Sequence, residues 1–268
     1  MFFCGTVCAK TVEFVETGTG SSSKYERLLD AQNRAEQDAL SKALAKNGVD
    51  VFYGYHDLAA QGGAASQFIA SVLSVFSSGV AQYERSAGPE CVLGRDGDAS
   101  CTVTLAGKIT FRGEPDAGFE ISLDGLRPEY CEGDAVSVSL KATRDSWLNI
   151  ISVDEGKNAA LIFPYAGARF DKLKAGETFQ FPPKDEAALE AVLPEGAAES
   201  FELFQIIMTK KEPLFEAAAA PGAAAGPGDF MAVSKRLAGL ERSAWAMRLL
   251  PYRIVKCANK KTESKKQP

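Results

Sequence analysis

His56 is the only histidine in the 268-residue chain, so any catalytic arrangement that needs an imidazole base must use it. It lies in "YGYHDL", next to Asp57 and close to Tyr53 and Tyr55. No G-x-S-x-G nucleophile motif accompanies it, and a single histidine cannot build a metal site of two or three histidines. The sequence therefore predicts no catalytic residues, no metal site and no cofactor. A surface histidine or a histidine at a strand end is the favoured interpretation.

Two other segments resemble ligand loops. "GTGSSSK" at 18–24 has the glycines and hydroxyls of a phosphate loop but lacks the Gly-Lys-Ser/Thr ending. A capped helix start explains the same residues, because Ser23 and Glu26 have the S-x-x-E spacing of a capping box. Asp154 and Glu155 lie between two apolar runs but do not follow the calcium-loop pattern. The stretch 147–167 is therefore predicted to be a hairpin in which Gly156 takes positive φ.

The six cysteines indicate the compartment. No C-x-x-C spacing is present, which argues against zinc and thioredoxin-type sites. Cys91 and Cys101 flank a turn-rich segment, and Cys131 and Cys257 each adjoin a predicted strand. We expect disulfides Cys91–Cys101 and Cys131–Cys257, which require an oxidising compartment. The alternative is four buried free thiols in a cytosolic protein.

The first residues, "MFFCGTVCAK", are apolar and place Val7 and Ala9 like the small residues of a signal-peptidase site. We interpret residues 1–9 as the remnant of a signal peptide; the alternative is an ordinary strand. No segment approaches the about 20 apolar residues of a membrane span.

The composition, 46% hydrophobic and 24% charged, is that of a chain that buries a core. The net charge is −5; the last 13 residues carry +4, so the rest of the chain carries −9. An acidic body argues against nucleic acid as a partner. The polar tail at 258–268 is predicted to be disordered.

Hydrophobic periodicity divides the chain. Residues 10–112 are predicted to form an α+β domain with two helices on a mainly antiparallel sheet. The first helix is predicted to begin near Ser23 and to bury one face, made of Tyr25, Leu28, Leu29, Ala35, Ala39, Leu40, Ala43 and Leu44. The second is predicted to bury Phe68, Ile69, Val72, Leu73 and Phe76.

Residues 113–118, "GEPDAG", have the composition of a linker. From 119 to 257 the period is mostly two, with frequent turns, which predicts a mostly-β, sandwich-like domain. A short helix containing Phe230, Val233, Leu237 and Leu240 is predicted to precede the last strand. The aromatics Phe163, Tyr165, Phe170, Phe179 and Phe181 are predicted to cluster, more often as packing than as a ligand platform.

Residues 119–215 resemble the bacterial domain of unknown function numbered 4384. Gly133-Asp134, Arg144-Asp145, Val153-Asp154, the run Leu161 to Pro164, and Ala175-Gly176 carry the resemblance in order. It implies an all-β module, often secreted or envelope-associated, without established catalytic residues.

The first half is similar to the N-terminal domain of flagellar assembly protein T and related envelope lipoproteins. "RAEQDALSKALAKNGVDVFYG" and "CTVTLAGKI" carry that likeness, which implies a periplasmic, noncatalytic protein. Together these features predict a noncatalytic periplasmic or secreted protein, associated with the envelope, that binds a protein or another envelope component. The alternative is a hydrolase-like enzyme with a site at the domain junction near His56.

Overall fold

The structure is a computed structural model that describes residues 9–47, 50–51, 63–78, 80–168, 171–217 and 228–257. Its helices are α1 (Leu28–Lys46), α2 (Gly63–Ser78) and α3 (Phe230–Ala238), and a 3-10 turn follows at Arg242–Ala244. The strands are β1 (Ala9–Ser22), β2 (Asp50–Val51), β3 (Ala81–Leu93), β4 (Ala99–Arg112), β5 (Ile121–Asp124), β6 (Glu129–Cys131), β7 (Ala135–Val136), β8 (Val138–Ala142), β9 (Trp147–Val153), β10 (Asn158–Phe163), β11 (Thr178–Phe181), β12 (Leu189–Glu190), β13 (Glu199–Thr209), β14 (Gly228–Asp229) and β15 (Trp245–Val255). The predicted combination of helices with predominantly antiparallel strands is confirmed.

The N-terminal sheet has the order β1-β4-β3, and all of its pairings are antiparallel. Residues 18–22 of the segment that resembles a phosphate loop belong to β1, where Gly18 pairs with Val103 and Gly20 with Cys101, and Ser23 and Lys24 follow the strand. The phosphate-loop interpretation is therefore wrong for structural as well as spacing reasons, because these glycines lie in an extended strand beneath a helix.

Helix α1 lies unusually close to β1. A Cβ atom built on Gly18 would lie 2.0 Å from the carbonyl oxygen of Ala35 and 2.3 Å from the nitrogen of Ala39. A Cβ on Gly20 would lie 2.3 Å from the carbonyl oxygen of Ala31. Glycine in the strand and alanine at four-residue spacing in the helix together permit this approach.

Helix α1 begins at Leu28 rather than at Ser23. The Ser23 and Glu26 pair forms a turn before the helix, in which the Ser23 N–H donates to Glu26 Oε2 at 2.8 Å. The equivalent pair at the helix start is Arg27 and Asp30, where the Arg27 N–H donates to Asp30 Oδ2 at 2.9 Å. The predicted capping contact exists, but it is made one turn too early to cap α1.

This shift changes the buried face of α1. Tyr25, Leu28 and Leu29 are exposed, by 86%, 42% and 47%. The buried residues of the helix are Ala31, Ala35, Ala39, Leu40, Ala43 and Leu44. The predicted face was right from Ala35 onward and wrong for the three larger residues before it.

A seven-stranded sheet forms the centre of the molecule, with the order β14-β10-β9-β13-β15-β2 and with β6 also paired to β15. Strands β9, β13 and β15 are antiparallel neighbours, whereas β2 and β6 run parallel to β15. Strand β13 is buried along almost its whole length, which explains why its sequence, "ESFELFQIIMT", contains a nearly continuous apolar run.

Both faces of this central sheet are buried. On one face, Ile151, Leu203 and Ile207 belong to a core that also contains α1, α2, α3 and residues of β1 and β4. The ring of Phe68 in α2 stacks on that of Phe201 in β13 at 6.3 Å between centroids. On the other face, a second core joins the sheet to β5, β8 and β11.

The second core lies between the central sheet and a smaller sheet, and the predicted sandwich-like domain at 119–257 stays a prediction. The smaller sheet has the order β11-β8-β5, and β7 and β12 form a separate two-stranded ribbon. Two cis prolines, Pro164 and Pro182, follow Phe163 and Phe181 at the ends of β10 and β11.

The predicted linker at 113–118 connects two parts of the chain that share the first core. Strand β2 comes from the N-terminal part and pairs with β15, and the side chain of Arg112 donates to the carbonyl oxygen of Gly239 at 2.8 Å. The division into folding units at this linker stays a prediction. Within the described ranges, no helix has the length and hydropathy needed to cross a membrane.

Candidate functional site

An open cavity of about 760 Å³ lies at the end of the sandwich formed by β9, β10 and β11. Leu148 at the start of β9 and Phe163 at the end of β10 line one side, and Phe179 of β11 lines another. The turn after β10 adds Tyr165 and Ala168, and the segments before and after β11 add the charged rim. Its volume falls in the range of sites that bind small ligands or side chains.

Aromatic rings form the floor of this cavity, which we call the aromatic cavity. The Phe163 ring is buried and lies 4.9 Å from the Phe179 ring, and 6.1 Å from each of the Tyr165 and Phe181 rings, between centroids. The predicted aromatic cluster therefore forms, except that Phe170 lies outside the described residues. Phe181 is core, whereas Tyr165 and Phe179 are only partly buried and line the cavity.

The Tyr165 hydroxyl is the polar group of this floor. Its oxygen is buried and has no hydrogen-bond partner in the described structure. Leaving a buried hydroxyl unpaired costs about 1–3 kcal/mol, so a ligand group that reached it would recover free energy.

Charged side chains surround the opening. Asp171, Glu177, Asp185 and Glu186 outnumber Lys172 and Lys174 in the lining. Lys174 Nζ is 3.1 Å from Asp145 Oδ2, and the Ala175 N–H donates to the same carboxylate at 2.9 Å. That backbone bond, with Lys174, holds the pKa of Asp145 below its usual range. The rim is therefore net acidic, and one of its two lysines is already paired.

Strand β11 borders the aromatic cavity and forms the edge of its sheet. It pairs with β8, and no second strand partner is present among the described residues. Phe179 is opposite the buried Leu140 and faces inward, whereas Thr178 is exposed. An edge with free backbone groups therefore adjoins an aromatic cavity.

The hairpin predicted at 147–167 is present as β9 and β10, but its turn differs in detail. Lys157, not Gly156, takes the positive φ, at 64°. Asp154 closes the turn, because its Oδ1 accepts from the Asn158 N–H at 2.9 Å. Glu155 Oε1 accepts from the Phe201 N–H at 2.7 Å. These two carboxylates therefore have structural hydrogen bonds in place of the metal role considered for them.

Four of the cysteines lie in two close pairs. Cys91 and Cys101 join β3 to β4 with Cα atoms 4.1 Å apart, and Cys131 and Cys257 join β6 to the segment that follows β15 with Cα atoms 5.4 Å apart. Both pairs lie at disulfide-bonding distance, which is consistent with the predicted connectivity.

The residues of the enzyme hypothesis, Tyr53, Tyr55, His56 and Asp57, lie outside the described residues, as do 1–8 and 258–268. In the part of the chain that the structure covers, no group of three or more His, Cys, Asp or Glu side chains is placed to hold a metal ion.

Buried ionisable groups occur away from the cavity. Glu202 of β13 accepts a hydrogen bond from the Tyr252 hydroxyl, and burial raises the pKa of its carboxyl group. Burial lowers the pKa of Arg242 to about 10, and its guanidinium lies 3.8 Å from the centre of the Trp245 ring. Sequence reasoning identified neither group, because both depend on contacts distant in sequence: Glu202 is paired with Tyr252 of β15, and Arg242 donates to the carbonyl oxygen of Asn47 at 3.3 Å.

Comparison with known families matches residues 129–212 to "Domain of unknown function (DUF4384)". The match supports the resemblance found in the second half and contains β11 and the whole aromatic cavity. It does not extend to the first half, so the likeness to flagellar assembly protein T stays unsupported. No curated protein matches the chain.

Proposed function

We propose that this protein is a noncatalytic periplasmic or secreted module, associated with the cell envelope, that binds an extended segment of a partner protein. The observation that carries the proposal is the aromatic cavity beside the open edge of β11. An added strand would bond to the free backbone groups of β11 and direct alternate side chains inward, beside Phe179.

The chemistry of the cavity specifies the segment. The aromatic floor favours an aromatic, proline or large aliphatic side chain as an anchor. The net acidic rim favours a lysine or arginine next to that anchor, because complementary charge steers and orients association. The proposed occupant is therefore an extended peptide with an apolar anchor flanked by a basic residue.

The two cysteine pairs support the proposed compartment, because disulfides persist in oxidising surroundings. Mass spectrometry of unreduced protein from its native cells tests this. Free thiols at all four positions would reject the extracytoplasmic location.

Binding is tested with a library of random peptides displayed on phage. We expect enriched peptides with an apolar anchor beside lysine or arginine, and binding at least about tenfold weaker to Thr178→Lys, because a charge at an edge strand opposes strand addition. Ala168→Trp, which fills the cavity, should weaken binding similarly.

Ser122→Lys is the matched control. Ser122 of β5 and Thr178 of β11 are both exposed and pair with the same residue, Lys141, from opposite sides. Equal loss in both variants, or no enrichment of such peptides, would reject the site. His56→Ala should bind normally; loss of cellular function in this variant with peptide binding intact would favour the enzyme alternative.

A further inference from the structure

A second cavity, independent of the aromatic cavity, lies between α1, α2 and β3. Its volume is about 470 Å³, and we call it the polar cleft. Helix α1 contributes Asn33 and Gln37, α2 contributes Gln67 and Ser71, and β3 contributes Tyr83. The cleft lies outside residues 129–212, so the family match does not cover it.

The charged groups of the polar cleft are paired within the protein. Both Arg85 Nε and Arg85 Nη2 donate to Glu36 Oε2, at 2.8 and 2.6 Å. Arg34 forms an ion pair with Glu26, and Asp30 is 3.3 Å from Arg27 Nη2. An ionised ligand would have to compete with these ion pairs, so the cleft favours a neutral one.

The other polar members of the lining are neutral amides and hydroxyls: Asn33, Gln37, Gln67, Ser71, Ser74 and Tyr83. Gln37 Oε1 is buried and has no hydrogen-bond partner in the described structure. A ligand hydroxyl that reached Gln37 would provide the donor this oxygen lacks. Amides can donate and accept at one site, which suits a ligand with several hydroxyl groups.

Among the described residues of the lining, Tyr83 supplies the aromatic ring. It faces the helices on the inner side of β3, opposite Gly107 of β4. A Cβ on Gly107 would lie 2.6 Å from the Cβ of Tyr83, so the glycine provides room for this ring. Burial, and then the charge of Glu36, raise the pKa of Tyr83, so its hydroxyl stays protonated and can donate.

We propose that the polar cleft binds a neutral saccharide of about one or two sugar rings, the size that its volume admits. The apolar face of a sugar ring packs against Tyr83, and its hydroxyls bond to the amides of Asn33, Gln37 and Gln67. This site is independent of the peptide site proposed above.

Isothermal titration calorimetry tests the proposal with glucose, N-acetylglucosamine and their β-1,4-linked disaccharides. We expect at least one of them to bind with a micromolar to millimolar Kd. Gln67→Ala and Tyr83→Ala should each weaken it by about tenfold or more, since each removes a hydrogen bond or the stacking ring.

Gln82→Ala is the matched control, because Gln82 precedes Tyr83 but pairs with Lys108 on the opposite side of the sheet. It should bind normally, and so should Thr178→Lys, which alters only the peptide site. If the Tyr83→Ala variant does not fold, the binding measured for Gln67→Ala decides the result, because Gln67 is exposed and its truncation should leave the fold intact. Absence of binding by all of these sugars, or equal binding by wild type and Gln67→Ala, would overturn the proposal.

Discussion

The two faces of the central sheet are covered by very different parts of the chain. The face of Leu203 and Ile207 packs on helices and strands that come largely from the first 112 residues and from α3. The face of Phe204 and Ile206 packs mainly on strands close in sequence, between residues 119 and 193. Adjacent residues of β13 are therefore packed by different parts of the chain: one face is packed by segments distant in sequence and the other by segments nearby in sequence.

Polar content also differs between the faces. Two buried amides, Asn149 and Gln205, lie on the helix-facing side. Both polar atoms of the Asn149 amide are hydrogen-bonded, because its Oδ1 accepts from the N–H groups of Leu214 and Phe215 and its Nδ2 donates to the Phe215 carbonyl oxygen. The Gln205 amide is less well satisfied, because its Oε1 has no partner in the described structure and its Nε2 contacts the sulfur of Met247.

The family match contains only part of the packing around the central sheet. Residues 129–212 include β9, β13 and much of the local cover of one face, but not β15, which pairs with β13 along all eleven of its residues. They also exclude α2, whose Phe68 ring stacks on Phe201. In this chain the matched segment therefore depends on neighbours before and after it.

The largest expected effect comes from separating α1 from β1 with Gly18→Val. The new side chain would meet the backbone of Ala35 and Ala39, which cannot move aside as a flexible side chain can. We expect a loss of about 5 kcal/mol or more in the free energy of unfolding, a size reserved for such severe disruptions. Urea denaturation monitored by circular dichroism measures it.

Gly88→Val is the control, because a Cβ on Gly88 of β3 has no atom within 4 Å. The same experiment examines the predicted division at 113–118. If the shared core couples both parts, Gly18→Val shifts one common transition. A second transition that keeps its wild-type midpoint would show instead that residues 119–257 unfold separately.

Much of the fold could be predicted because its signals are local. The alternation in β4, the five apolar residues of α2 and the turn-rich segment between Cys91 and Cys101 all describe neighbours in sequence. The α1 start was misplaced because two acid-containing pairs, Ser23–Glu26 and Arg27–Asp30, compete for the same role.

The shared core could not be predicted because it depends on pairing between distant strands, such as β2 with β15. One signal was available. A strand covered on one face only should alternate between apolar and polar residues, whereas the nearly continuous apolar run in β13 indicates burial on both faces. The aromatic cavity was partly foreseen through its rings, whereas the polar cleft consists of common polar residues without a motif.

Smaller effects on the free energy of unfolding are expected from substitutions at the two buried amides, and the two effects should have opposite signs. Asn149→Leu should lower the free energy of unfolding by about 2–4 kcal/mol, because it leaves backbone groups of Leu214 and Phe215 unpaired. Gln205→Met, similar in shape, should raise it by about 1 kcal/mol, because it removes an unsatisfied carbonyl. Thermal and urea unfolding of both variants check the signs, and a loss in Gln205→Met would show that its amide is satisfied after all.

The smallest expected effects concern the pH dependence of stability. They compare two carboxyl groups, Glu26 before α1 and Glu202 in β13. Arg34, with the Ser23 backbone, lowers the pKa of Glu26 from 4.5 to about 2, so Glu26 stabilises the fold above pH 4.5 and loses this contribution as the pH falls toward 2.

Burial raises the pKa of Glu202 above 4.5, so the contribution of Glu202 to stability is complete below pH 4.5 and is lost as the pH rises through the raised value.

Glu26→Gln should therefore destabilise the fold by about 1 kcal/mol at neutral pH, a modest amount because solvent screens a partly exposed ion pair, and by almost nothing near pH 2. Glu202→Gln should match wild type in acid and exceed it slightly at neutral pH, since it removes a desolvated charge while keeping an acceptor for Tyr252. Urea unfolding across this pH range measures both differences, and parallel pH profiles for the two variants would contradict the assignment of opposite environments to Glu26 and Glu202.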